Sequence, residues 1–260
     1  MPNDAPLPLA EVRNHVSAEE WQARVDLAAC YRLLARYGMA DLTGTHTSLS
    51  VPGSDNKHFL INPHGVLFER VTASSLVKID WEGNPVVPTP YRVNPAGFII
   101  HSAIHMARPD AACVMHTHTI AGMAVSMQAQ GLLPASQHAC FFTGNVGYHD
   151  IDAMVEELDG RAALARDMGQ HKALIMRNHG LLTCGRIVGE AFWLMHTLER
   201  ACAAQVMALS GGAALYPVTE KTSKWFGSLL SEKDFSLDRG ELSWPGLLDV
   251  LDSVDPSYRN

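Results

Sequence analysis

The chain has 260 residues, enough for one large core, and 20 Lys+Arg against 27 Asp+Glu leave a net charge of −7 with histidine neutral. Hydrophobic residues make up 47% and charged residues 18%, the balance of a folded globular protein, which excludes disorder and a continuous coiled coil. The acidic balance excludes the broad basic footprint of a non-specific nucleic-acid binder, and the longest apolar stretch, Ala111 to Met127, is broken by His116 and His118 before it could span a membrane.

Residues 1–16 are Pro-rich and predict a flexible arm. They carry no basic n-region or apolar h-region, so a secretory leader is not expected. Ser17-Ala-Glu-Glu20 is a capping box that opens a helix, with Glu20 reaching back to the cap. Trp21, Val25, Ala28, Tyr31 and Leu34 follow at helical spacing, and Gly38 is a natural stop. Short apolar runs at Ser48 to Val51, Phe59 to Ile61, Val66 to Phe68 and Leu76 to Ile79, punctuated by Pro and Gly, predict strands. A second helix is predicted from Ala96 to Ala107, a buried strand at Ala111 to Met115, and a further helix from Thr119. Residues 151–168 read as a surface helix, Lys172 to Met176 as a buried strand, and the stretch to Cys184 as a short strand. The longest helix runs from Val188 to Leu209 and closes at Gly211-Gly212. These elements predict one mixed α/β domain over residues 17–212, and the polar stretch 213–260 is expected to be a tail that packs on a neighbouring subunit. Five cysteines, an odd number with no Cys-x-x-Cys, predict reduced thiols in the cytoplasm.

Thirteen histidines against only 20 Lys+Arg is the unusual count, because imidazole is both the commonest metal ligand and the group that titrates near neutrality. His116 and His118 lie two apart at the end of a predicted strand, so their side chains share a face and can reach one ion. His179 ends another strand, and Gly180 after it permits a sharp turn and close approach. Three imidazoles with an open position would make a Lewis-acid site. Taken alone, each motif has a plainer reading, as half-buried core histidines or as an ordinary Asn-His-Gly turn.

The blocks Phe59-Leu-Ile-Asn-Pro-His-Gly65, Arg108-Pro-Asp-Ala-Ala-Cys-Val-Met-His-Thr-His118, Leu174-Ile-Met-Arg-Asn-His-Gly180 and Glu190-Ala-Phe192, in that order, resemble the class II aldolase/adducin family. Thr72-Ala-Ser-Ser-Leu-Val-Lys78, Asn94-Pro-Ala-Gly-Phe98 and His101-Ser-Ala-Ile104 are most similar to its adducin-like branch. The resemblance implies a three-layer α/β/α sandwich around a mainly antiparallel sheet. It also implies a homotetramer with active sites near subunit interfaces, and a divalent metal, zinc first with manganese or iron as alternatives, on His116, His118 and His179. Tyr148 matches the family tyrosine that protonates a leaving group across the subunit boundary; a packing tyrosine is its other reading.

Departures from the family pattern shape the functional expectation. Aldolases of the family carry an acid/base glutamate four residues before the position of His101, where this chain has Gly97, and glycine has no proton to move. The positions that cradle a sugar phosphate in those aldolases are Thr45-His46, His64-Gly65 and Pro95-Ala96 here. His46, His64 and Gly65 are therefore expected to line a pocket for a substrate carboxylate, with the two histidines charged; polar loop residues are the plainer alternative. His101 and His105 are read as core histidines or as partners orienting the metal ligands, and Arg177 as a solvated charge or an anion contact.

The expected function is a cytoplasmic metal-dependent lyase, an aldolase or decarboxylase acting on a small carboxylated carbonyl or hydroxy compound, not a sugar phosphate. One alternative is a non-catalytic adducin-like assembly protein. The other is an iron-dependent oxygenase on the same three histidines. Neither nucleic acid nor membrane is an expected partner.

Overall fold

A computed structural model describes residues 8–150, 160–232 and 234–260. Helix α1 (Ala18–Arg36) begins where the cap places it: Ser17 Oγ accepts from the Glu20 amide, and Gly38 at φ +69° ends the helix. Glu20 does not reach back to the cap. Its carboxylate turns into the protein, pairing with Arg24 Nη2 at 3.0 Å and Lys78 Nζ at 2.7 Å, because a buried carboxylate gains more from two cations than from one amide.

Seven strands form one open sheet: β1 (His46–Ser50), β2 (Phe59–Ile61), β3 (Val77–Ile79), β4 (Cys113–Thr117), β5 (Val146–His149), β6 (Ala173–Met176) and β7 (Gly180–Gly185). The order is β3-β2-β1-β4-β7-β6-β5. Every neighbouring pair is antiparallel except β5 with β6. Alternation along the strands sends successive side chains into two cores. Cys113, Met115, Ile175 and Leu181 pack with α1 and α6 (Val188–Ser210). Val114, Leu174, Met176 and Leu182 pack with α2 (Pro95–Ala107) and α5 (Gly160–Met168). The protein is thus the three-layer α/β/α sandwich around a mainly antiparallel sheet that was expected.

Several elements differ from expectation. Val66–Phe68 is not a strand; a 3-10 turn occupies Phe68–Arg70. Strand β5 and the short helix α4 (Gln137–Phe141) were not anticipated. Of the expected surface helix, residues 151–159 lie outside the described residues and the remainder is α5. Of the expected arm, residues 1–7 lie outside the described residues and Leu9–His15 form 3-10 turns with no buried side chain. Residues 213–260, expected as a tail, form helices α7 (Glu220–Ser231) and α8 (Phe235–Val254), which pack on this chain itself. Trp244 Nε1 on α8 donates to Asp26 of α1 at 3.0 Å, and the Tyr258 ring is fully buried against the core containing α1.

Candidate metal centre

Strand β4 ends at Thr117, and His116 and His118 leave it on the face toward α2. Strand β7 pairs with β4 from Cys113↔Gly185 to Thr117↔Leu181, which brings the β6–β7 turn and His179 beside them. Asn178 holds that turn with φ +56°, a left-handed conformation that asparagine tolerates. Gly180 makes the approach possible: a Cβ there would lie 2.4 Å from the Thr117 carbonyl oxygen and 3.1 Å from His118 Cδ2. The three ring nitrogens converge, His116 Nε2 to His118 Nε2 at 2.8 Å and His118 Nε2 to His179 Nε2 at 3.0 Å. Among the described residues this is the grouping of ligand side chains suited to a metal ion.

Protein contacts decide which nitrogens face inward. His116 Nδ1 donates to the Leu181 carbonyl at 2.9 Å, and His118 Nδ1 donates to Asp41 Oδ2 at 3.0 Å. In the neutral rings, Nε2 is therefore a bare lone pair. Burial first, and the neighbouring histidines second, push His116 well below the ordinary histidine range and His179 down to about 4. Two inward lone pairs at this separation, with a third imidazole nitrogen beside them, form a donor set that a cation between them would satisfy. The donor set fits a divalent ion, with partners already fixing the orientation of two ligands. Asp41, on the loop before β1, was not anticipated. Only the Asp41-to-Gly44 turn hinted at it, since the strand that turn feeds is the neighbour of β4. Glu199 was missed as well: Thr119, the residue after His118 and the cap of α3 (Ile120–Ser126), donates to its carboxylate.

His46 does reach this centre, being paired with His116 across β1 and β4 with ring centroids 5.1 Å apart. It is only 2% exposed, and burial followed by the nearby histidines pushes it well below the usual range. The expected charged partner for a carboxylate is therefore not supplied by His46, because a buried imidazole among imidazoles stays neutral. The ring fills the space over Gly97, where a Cβ would lie 2.9 Å from His46 Cδ2. His46 Nδ1 meets His101 Nε2 at 2.7 Å, His101 Nδ1 and His105 Nε2 both meet Ser48 Oγ, and His105 Nδ1 meets the Ala111 carbonyl oxygen at 3.0 Å. His101 and His105 are thus buried and linked to the metal histidines through His46.

The remaining expected residues lie further out. His64 and Gly65 are exposed, with the backbone of His64 bridged to Arg92. Tyr148 on β5 is not brought to the three histidines of its own chain; its hydroxyl accepts from the Leu132 amide at 3.0 Å. Arg177 lies over the Tyr148 ring at 4.3 Å and donates to the Gln128 carbonyl, so it serves as a structural clasp.

Residues 25–206 match the family described as Class II Aldolase and Adducin N-terminal domain. The chain belongs to the class II aldolase and adducin family. It is 48% identical over 96% of both chains to a Pseudomonas aeruginosa protein named, provisionally, as a class 2 aldolase. Alpha-adducin of Rattus norvegicus is 45% identical across 72% of this chain, which spans only 26% of that longer protein. Two solved structures share the fold over nearly the full length. An aldolase II superfamily protein from Pseudomonas syringae has a TM-score of 0.90 at 43% identity, covering 96% of this chain and all of its own. L-fuculose 1-phosphate aldolase from Glaciozyma antarctica has a TM-score of 0.82 at 27% identity, covering 99% and 98%. No helix among the described residues is long and apolar enough to cross a membrane.

Proposed function

We propose that this member of the class II aldolase and adducin family is a divalent-metal-dependent lyase acting on a small carboxylated hydroxy or carbonyl compound. The observation that carries the reading is the convergence of His116, His118 and His179, with the inward nitrogens of the first two stripped of protons by Leu181 and Asp41. Zinc suits three imidazoles best, and manganese or iron can use the same donors. A divalent ion held there polarises a carbonyl, or a hydroxyl and carboxylate oxygen pair, and stabilises the negative charge left when a C–C bond breaks.

The chain's own residues narrow the chemistry. Gly97 offers no carboxyl group where aldol cleavage in the family draws its acid/base, and His46 fills that space as a neutral ring. Loss of CO₂ removes no substrate proton and fits that environment better than aldol cleavage. With His46 neutral, a substrate carboxylate would be held through the ion, and the exposed His64 and Gly65 are candidates for contact with the rest of the substrate. Tyr148 is the candidate proton donor, serving the site of a neighbouring subunit in a homotetramer. The five cysteines are all buried and unpaired, which supports a reducing, cytoplasmic setting.

The test is elemental analysis of freshly purified protein, alongside release of CO₂ from a panel of 3-keto acids, in which loss of CO₂ leaves an enolate whose oxygen a divalent ion can hold. Stoichiometric divalent metal that His116→Ala abolishes, with turnover of at least one acid, is expected. A protein without metal, or with the same metal content in the variant, overturns the reading. The second reading, a non-catalytic assembly protein, is favoured by the likeness to alpha-adducin together with Gly97; metal without turnover of any acid would select it.

A further inference from the structure

The hydrogen bonds that lead inward from the metal centre end on a carbonyl oxygen, and that end fixes the direction of every one of them. The Ala111 carbonyl can only accept, so His105 Nδ1, 3.0 Å away with Ser50 Oγ also within 3.3 Å, carries a proton. His105 is fully enclosed and held neutral, its pKa pushed down to about 4 by burial, so its Nε2 is bare. Ser48 Oγ, at 2.7 Å, must then donate to that nitrogen. A hydroxyl has one proton, and Ser48 has spent it on His105; it therefore accepts from His101 Nδ1. His101 is likewise buried and neutral, which leaves its Nε2 to accept from His46 Nδ1 at 2.7 Å. The relay ends at His46: with Nδ1 donating to His101, the neutral ring keeps no proton on Nε2, and that nitrogen has no hydrogen-bond partner among the described residues. The ring carrying it lies between His101 and His116, at centroid distances of 4.8 Å and 5.1 Å.

We infer that His46 is a hydrogen-bond acceptor built into the metal centre, selecting a metal-held ligand that presents a hydroxyl to it and disfavouring an anionic group at that point. The inference rests on the metal-dependent function proposed above and replaces the carboxylate-pairing role expected of His46 with its opposite. A lone pair fixed in a dry site rewards a donor and repels an oxyanion. Two features hold it in place. Gly97 leaves room for the ring, since a Cβ would lie 3.0 Å from His46 Cγ, and Ser48 transmits the tautomer from His105 to His101. Positions 46, 48 and 50 alternate on β1, so all three face α2, where His101 and His105 lie one helical turn apart.

The first test is ¹⁵N NMR of histidine-labelled protein, zinc-loaded and metal-free, which reads which ring nitrogen carries the proton. His46, His101 and His105 are all expected as Nδ1–H tautomers, and Ser48→Ala is expected to scramble His101 and His46 while leaving His105 unchanged. A proton on His46 Nε2, or on both its nitrogens, overturns the inference, as does a His46 tautomer indifferent to Ser48→Ala. The second test compares glycerate with lactate on the zinc-loaded protein by calorimetry. Both offer a hydroxyl and carboxylate to the ion, and glycerate has one hydroxyl more. A preference for glycerate of roughly fivefold is expected, the worth of one buried hydrogen bond. His46→Phe, which retains a ring without its lone pair, should level the two. Equal affinities in the unaltered protein, or a preference that survives His46→Phe, overturn the inference. Protein that takes up no zinc refutes the proposed function instead, and the tautomers of the metal-free protein then decide the present point alone.

Discussion

His118 is oriented by a residue 77 positions away in the chain, the carboxylate of Asp41. That contact fixes the tautomer and aims Nε2 at His116 and His179, so under the proposed metal-dependent function Asp41 would raise metal affinity without touching the ion. Asp41 is half exposed, so the effect belongs at the lower end of the range for such partners. Asp41→Ala is expected to weaken zinc binding about tenfold while leaving the fold intact, as read by competition with a chromophoric chelator. Unchanged affinity would mean that the β4 backbone alone orients His118. The grouping of His116, His118 and His179 was legible in the sequence because His116-Thr-His118 and Asn178-His179-Gly180 are local patterns at strand ends. Asp41 was not, since a single loop carboxylate acquires meaning only from what the sheet puts next to it. The neutrality of His46 was equally hidden: a charge state depends on enclosure by α2 and β4, which no local pattern reports.

At the scale of elements, the centre is a product of the β4–β7 ladder. Thr117 pairs with Leu181, and the turn bearing His179 folds back on that pairing only because Gly180 has no side chain. Gly180→Ala would press a Cβ into the Thr117 carbonyl and against two metal histidines. The expected result is a loss of about 1–3 kcal/mol in urea unfolding of metal-free protein, the cost of overpacking, together with reduced zinc uptake. Normal stability with full zinc content would show that the turn can yield. The longer elements were read well from sequence: α1 has its cap, its period and its glycine stop, and α6 is long and apolar. Strand β5 was missed because four residues with a central glycine, Val146-Gly-Tyr-His149, show no clear alternation. They become a strand through parallel pairing with β6, a distant segment. Val66–Phe68 was misread because a short apolar run after Pro63-His-Gly65 suits a turn as well as a strand.

For the molecule as a whole, the enclosed histidines set a pH dependence of stability. A histidine kept neutral by burial protonates at lower pH in the folded chain than in the unfolded one. Above about pH 6.5 neither state binds the proton and nothing is lost. As pH falls from there, the unfolded chain gains a proton that the fold refuses, and stability drops by about 1.4 kcal/mol per pH unit per group. His105, pushed down to about 4, costs about 3 kcal/mol by that pH. His46, His101 and His116 lie well below the usual range too and steepen the decline. Urea midpoints of metal-free protein are expected to fall clearly between about pH 7 and pH 5; a flat profile would show that the fold accommodates these protons. A mixed α/β domain was legible because strand and helix patterns alternate along most of the chain, whereas its three-layer arrangement followed from the resemblance to the family. The helices of 213–260 were not legible, because polar residues between their apolar positions read as a tail until α1, α4 and α6 are in place to receive them.

The seating of the His46 ring over Gly97 also constrains how such a site can change over time. The two positions compete for one volume, so substitutions at them are not independent. A chain with a side chain at 97 must first lose it before an imidazole at 46 is tolerated, and the reverse journey must shrink residue 46 first. Either path crosses an intermediate in which the space is empty and neither group is present.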